Sequence, residues 1–395
     1  MDSKWQIKKM PEVVKWSSGG TPKATVKEYY ENGDIPWLII GDLNNGIITE
    51  SETKITKLGL DNSSAKMIPP DTLLVAMYGS IGKLGITGID CCTNQAIAYA
   101  KELYGVTTKY MFYYMAMIKP ELISKGKGGT QKNISQTVLN SLDVIVPPLD
   151  EQQRIVSKIE ELFSQLDSGV ETLKKTKQQL KIYRQAVLKE AFEEIKEYTK
   201  LNELVVKIFD GPFGSNLKTA DYVDSGVRVV RLENLKNGWF DDSKQSFVTS
   251  EKYDTIKKHT VYPSDLIMST FIADNVKICQ LPKYIGCAIN KADCVGIRLK
   301  GEINAKYVLY YLMSKKVYDE LSISVHGATR PRVNTTQIKN IFIPICIKSE
   351  QDKIVSEIEA RLSVCDSIEK TIDKSLQEAE ALRQSILKQA FEGVL

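Results

Sequence analysis

The side chains that most often perform metal or nucleophilic chemistry are few in this chain and wrongly spaced for it. Only two histidines occur in 395 residues, His259 and His326, and neither sits at ligand spacing from the other or from a cysteine pair. Cys91 and Cys92 are adjacent, which no tetrahedral zinc motif uses. The seven cysteines, odd in number and scattered through apolar or loop stretches, read as reduced core residues rather than a disulfide framework. A Ser, His, Asp triad gains no support, because there is no G-x-S-x-G elbow. GSIGKLG, from Gly79, superficially resembles a phosphate loop, but Met77 stands where the first glycine belongs and Leu84 replaces the magnesium-binding hydroxyl. It reads instead as a glycine-bearing hairpin whose backbone and Lys83 could approach a nucleic-acid phosphate. No dinucleotide-binding G-x-G-x-x-G and no Asn-Pro-Pro-aromatic motif for a flipped base is found. The chain therefore shows no active-site signature of its own.

What remains is local charge. A net charge of +4 is too mild to predict nucleic-acid binding, so any basic surface must be local. Lys125, Lys127 and Lys132 in ISKGKGGTQKNI, and Arg330 and Arg332 in VHGATRPRVN, are the candidates. The bland reading of each is a solvated loop.

The elements that position these loops are read from a helix written twice. Residues 151–193 return as residues 350–392 at a fixed offset of 199, without a gap and with 20 of 43 positions identical. Such identity marks a duplication. Apolar residues in the first copy recur at Ile155, Ile159, Leu162, Leu166, Val170, Leu173 and Leu180, in steps of three and four. The second copy repeats the stripe at Ile354, Ile358, Cys365, Ile372, Leu376, Ala379 and Ile386. Lys, Glu and Gln fill the other faces, as in a coiled-coil seam. Each helix would run roughly 65 Å. Pairing the two copies antiparallel buries both seams and predicts a rod with one domain at each end.

A globular segment precedes each helix. IPWLIIGDLNNG, from Ile35, is echoed by VRVVRLENLKNG, from Val227, and GGTQKNI by GATRPRV. Short apolar runs bounded by Gly, Pro, Asn and Asp predict an α+β domain rich in loops, with a helix near 108–118. The domain boundaries expected are 1–149, a helix over 150–197, 198–347, and a helix over 348–395. The helices are kept while the loops diverge, which suits two recognition modules reading different targets from one frame; simple drift of the loops is the alternative. At 43% hydrophobic residues the chain can fill such cores. No apolar run is long enough to cross a bilayer, and MDSKWQIKKMPEVVKW lacks a signal-peptide core, so a cytoplasmic location is expected.

PPLDEQQRIV with LKEAFE, SEQDKIV with LKQAFE, and DGPFGSNLKTADYVDSGVRVVRLENL from Asp210 resemble the specificity subunit of a type I restriction-modification system, over essentially the whole chain. GGTPKATVKEYYENGDIPWLIIGDL is a looser match at the first domain. One departure is IPICIKSEQ, where Cys346 and Ile347 stand opposite Pro147 and Pro148. The resemblance implies an α+β fold of two target recognition domains, of mixed β-sheet with helices, separated by an antiparallel coiled coil. It implies a non-catalytic subunit in which each domain reads half of a bipartite double-stranded DNA target and the coil sets the spacing. Two methylation subunits carrying S-adenosylmethionine, and restriction subunits using ATP and magnesium, are the implied partners; no cofactor is expected on this chain.

Readout of base edges and phosphates needs Arg, Lys, Asn, Gln and hydroxyl side chains on loops. Those that fit are Thr21, Lys23, Ser80, Lys83, Thr130, Gln131 and Lys132 in the first domain, and Ser215, Asn216, Lys218, Arg330 and Arg332 in the second. Phe213, within GPFGS, is expected to pack as core beneath its own loop, with contact to a thymine methyl as the alternative. A stand-alone DNA-modifying enzyme and a purely structural coiled-coil scaffold are the two other classes; turnover of DNA by the purified chain alone, or no DNA-dependent activity in any complex, would single them out.

Overall fold

The computed structural model describes residues 5–128, 132–272, 274–323 and 331–395, apart from the side chain of Ser215. The two repeats are helical over Leu149–Glu193 and Lys348–Phe391. Neither helix contains a proline, and each opens with acidic residues, which suit the positive end of the helix dipole. The chain divides into two compact units, residues 1–173 with 374–395 and residues 174–373, so each unit holds a stretch of both helices.

Within each unit the paired side chains give the helix direction. In the first, Asp167 pairs with Arg383 while Arg154 Nη2 donates to the Leu395 carbonyl at 3.2 Å. In the second, Lys177 pairs with Asp373 at 2.5 Å, Arg184 with Asp366 at 2.7 Å and Glu190 with Arg361 at 2.9 Å. One partner's number falls as the other's rises, so the helices run antiparallel. These pairs are partly exposed and worth about 0.2–1 kcal/mol each; they set register more than stability.

The seam lies between them. Ile155, Ile159 and Leu180 of the first helix are buried, as are Ile358, Ile372 and Ile386 of the second; Leu166, Leu173, Ile354 and Leu376 are half-buried. Toward the domains the stripe widens to take in Val156, Val187, Leu188, Val355 and Leu387, because there each helix packs on a globular core as well as on its partner.

How each domain is tied to the helices is the most regular feature of the molecule. Gln152 is 0% exposed and Gln351 1%. Gln152 Oε1 accepts the Thr107 N–H at 3.0 Å, and its Nε2 donates to the Gly105 and Pro147 carbonyls at 2.8 and 2.9 Å. Gln351 accepts the Asn304 N–H at 2.9 Å and donates to the Cys346 carbonyl at 2.8 Å. Thr107 and Asn304 each cap a domain helix, Thr108–Met117 and Ala305–Leu312. The bond to residue 147 in one unit and 346 in the other uses only a carbonyl, so replacing proline by cysteine leaves the joint unchanged.

The far end of the other helix closes the clasp. Phe391 meets Tyr110 and Tyr114 edge-on with centroids 5.2 Å away in each case, and Phe192 meets Tyr307 and Tyr311 at 5.2 and 5.1 Å. Tyr110 and Tyr307 in turn donate to the Ile145 and Pro344 carbonyls at 2.6 and 3.0 Å. Each domain is thus held by the start of one long helix and the end of the other.

The domains share a strand plan. A sheet in the first unit runs in the order Val14–Ser18, Ile97–Leu103, Leu73–Ala76, Leu84–Thr87, Ile47–Ile48. In the second unit the corresponding sheet runs Val205–Asp210, Cys294–Leu299, Leu266–Ile272, Val276–Gln280. A separate parallel pairing recurs as well, Trp37 with Cys92 and Val229 with Ile289. The architecture is the expected one: α+β domains of mixed sheet, with the repeated helices antiparallel.

Candidate nucleic-acid interface

At one edge of each domain, four loops converge by main-chain bonds. In the first unit the Met77 N–H donates to the Ala96 carbonyl at 2.8 Å, the Ile134 N–H to Met77 at 2.9 Å and the Gly79 N–H to Lys132 at 3.0 Å. Tyr78 and Asn133 form an isolated antiparallel bridge. The Thr21 hydroxyl donates to the Gln95 amide oxygen, and Gln136 Nε2 donates to the Ser18 hydroxyl at 3.3 Å. Thr21, Ser80 and Lys132 are thereby brought onto adjoining loops, all exposed.

The second unit repeats the convergence with different side chains. The Thr270 N–H donates to the Asp293 carbonyl at 2.9 Å, the Val333 N–H to Thr270 at 2.9 Å and the Ile272 N–H to Pro331 at 3.2 Å. Phe271 and Arg332 form the isolated bridge that Tyr78 and Asn133 form in the first unit. One glycine per unit makes the close approach of a further loop unavoidable. A Cβ on Gly19 would sit 1.9 Å from the Thr93 carbonyl oxygen, and one on Gly211 2.1 Å from the Lys291 carbonyl carbon.

The edge of the second unit sets cations against aromatic rings. The Lys291 ammonium lies 5.3 Å and the Arg231 guanidinium 5.7 Å from the Tyr222 ring centroid. Arg332 lies 4.2 Å over Phe271 and 3.2 Å from the Asp293 carboxylate. Beneath the edge, His259 Nδ1 donates to the Asp210 carbonyl at 2.5 Å. Burial first, then neighbouring lysines, hold its basicity below the usual value. Burial also lifts the Cys91 thiol to about 12 and Cys92 to about 11, which leaves these thiols protonated and inert. Among the described residues no cluster of His, Cys, Asp and Glu is arranged to hold a metal ion.

The remaining candidates are placed as follows. Lys23, Asn216 and Lys218 are exposed on loops. Lys83 is turned inward: its ammonium donates to the Ile40 and Gly41 carbonyls at 3.1 and 3.2 Å, so it ties a hairpin to the neighbouring turn. Thr130, Gln131 and Arg330 lie outside the described residues, as does the side chain of Ser215. Phe213 is 54% exposed and not in the core: its loop is seated on the domain through the backbone at Gly211 and not through the Phe213 ring. Tyr78, Gln95, Asn133, Gln136 and Lys291 were not picked out from the sequence. Their alignment with the repeat is loose, and only the strand pairing puts them beside the chosen loops.

A duplicated α+β domain, clasped by paired helices and differing from its copy at one loop edge, is the architecture of a two-headed recognition protein. The family model for the type I restriction modification DNA specificity domain matches residues 2–181 and again 199–378, and the chain belongs to that family. Each match covers one domain with most of its following helix. Curated relatives include the type I restriction enzyme MjaVIII specificity subunit of Methanocaldococcus jannaschii, 24% identical and covering 98% of this chain and 92% of its own. The EcoKI specificity subunit of Escherichia coli K12 is 21% identical, covering 99% and 89%. The fold matches a chain solved for the complex assembly and conformational transition of the type I R-M system, at TM-score 0.78, 16% identity, and 100% and 99% coverage. It also matches the HsdS subunit from Thermoanaerobacter tengcongensis at TM-score 0.54, 16% identity, and 100% and 98% coverage.

Proposed function

We propose that this chain is the non-catalytic DNA specificity subunit of a type I restriction-modification enzyme, with each domain reading one half of a bipartite target. The observation that carries the reading is the loop edge. The same backbone convergence occurs once per unit, and the side chains it presents differ. Two unlike readers on a common frame are what an asymmetric, split DNA sequence requires. The antiparallel helices set the number of unread base pairs between the halves, one DNA turn being roughly 34 Å.

Two methylation subunits carrying S-adenosylmethionine, and restriction subunits using ATP and magnesium, are the proposed partners; this chain binds none of those cofactors. The raised thiols and the histidine bonded to a backbone carbonyl support a chain without its own chemistry. With a net charge of +4, phosphate contacts from this chain alone are few, so tight DNA binding needs the methylation partner. Among the described residues no helix is long and apolar enough to cross a membrane, and a cytoplasmic location fits a DNA-modifying complex. The test is long-read sequencing of methylation in a host expressing this chain with its methylation partner. A two-part consensus with one fixed spacer is expected; methylation without a two-part consensus would reject the proposal.

A further inference from the structure

We infer that Arg332 reads a guanine in the half-site addressed by the second domain, with Phe271 and Asp293 as its positioning residues; this rests on the DNA-reading function proposed above. The guanidinium is stacked 4.2 Å over the Phe271 ring and held at 3.2 Å by the Asp293 carboxylate, yet the side chain remains 53% exposed. Its backbone cannot drift, because the bridge to Phe271 is flanked by bonds from the Val333 N–H to the Thr270 carbonyl and from the Ile272 N–H to the Pro331 carbonyl. Asp293 sits at φ 72°, a left-handed conformation uncommon for a non-glycine residue. It is fixed there by the Thr270 N–H and hydroxyl, which donate to its carbonyl at 2.9 and 3.3 Å. Aspartate tolerates this conformation in a turn, and the two bonds hold it there.

The partner carboxylate decides which DNA group this arginine suits. An arginine beside an aspartate is close to a neutral pair, so its pull on a phosphate charge is largely cancelled. Its unused N–H donors keep their direction, and a planar fork matches the O6 and N7 acceptors of guanine. A free lysine would behave oppositely. At the equivalent bridge in the first domain stands Asn133, whose amide oxygen is buried without a partner, beside the exposed Tyr78. The first half-site should therefore lack this readout.

The experiment uses the complex of the full chain with its methylation partner, the methylated motif of the host, and binding to the cognate duplex across a salt series. Arg332→Ala should erase the preference for one guanine in one half-site and weaken cognate binding by about 10- to 100-fold. The other half-site should not change. Arg332→Gln, whose amide pairs with adenine N6 and N7 rather than with guanine, should lose the same guanine preference; it serves as the deciding variant should Arg332→Ala fail to fold. Asp293→Asn should leave the fold intact, admit other bases at that position, and steepen the salt dependence by up to about one counterion as the cation is unmasked. A merely structural Asp293 would not move the salt slope. An unchanged motif in Arg332→Gln, or a uniform loss across sequences in Arg332→Ala, overturns the inference. A wild-type complex that methylates without a two-part motif instead overturns the functional reading beneath it.

Discussion

At the helix end, the two units are nearly superimposable in chemistry: a buried glutamine on a helix-capping N–H, and a phenylalanine between two tyrosines. At the loop end they share only backbone bonds. Tyr78 and Asn133 occupy in one unit the place that Phe271 and Arg332 occupy in the other. Main-chain hydrogen bonds are indifferent to side-chain identity, so a loop framework built from them tolerates replacement of the residues it displays. Each joint depends on one glutamine and one phenylalanine side chain, and losing either leaves buried groups unsatisfied or unpacked, so these are the same in both units while the side chains displayed at the loop edge differ.

Four measurements would break or sharpen that contrast. Phe391→Ala and Phe192→Ala should each cost about 3–5 kcal/mol, with hydrogen exchange showing lost protection confined to the first unit for the former and the second for the latter. Loss spread equally over both would contradict separate clasps. Gln152→Leu should destabilise by about 2–4 kcal/mol in denaturant unfolding, since it strands three backbone partners. Gln351→Leu strands two, and should cost about 1 kcal/mol less; a larger loss for Gln351→Leu would refute the bond-for-bond comparison.

At the loop edge, Lys132→Ala should lower the salt slope of DNA binding by about 0.9 if it meets a phosphate. Lys83→Met should leave that slope alone and cost about 1 kcal/mol of stability through two lost carbonyl bonds. Smallest is a pH response restricted to the second unit, because the first contains no histidine. His259 binds its proton less readily folded than unfolded, so its contribution is complete above about pH 6.5 and is lost as pH falls toward the lowered folded value. His259→Gln should flatten that response in thermal unfolding, and an unaltered pH profile would remove His259 as its source.

The helices and their pairing were legible because a seam of Ile155, Ile159, Ile358 and Ile372 repeats with the helical period. The domain class followed from short apolar runs between turn residues. The joints were not legible: a buried glutamine in a first helical turn has no periodic signal, and its partners are backbone groups about 45 residues away. The hairpin around Lys83 was legible, whereas the Ile40 and Gly41 carbonyls that its ammonium meets, about 40 residues away in the chain, were not. Phe213, expected in the core, is exposed, and its loop is seated through the backbone at Gly211, a contact only the fold reveals. Thr21 and Lys132 were chosen by residue type, but that they share one edge depends on strand order.

The first unit is completed by residues 374–395, yet the 200 residues from 174 to 373 are translated between its two parts. At about 5–20 residues per second, a ribosome needs roughly 10–40 s to cover that interval. During it Tyr110, Tyr114 and Ile155 await Phe391 and Leu387 with their apolar surfaces wet, a natural window for a chaperone. Trimming this protein at its end should consequently unravel its beginning.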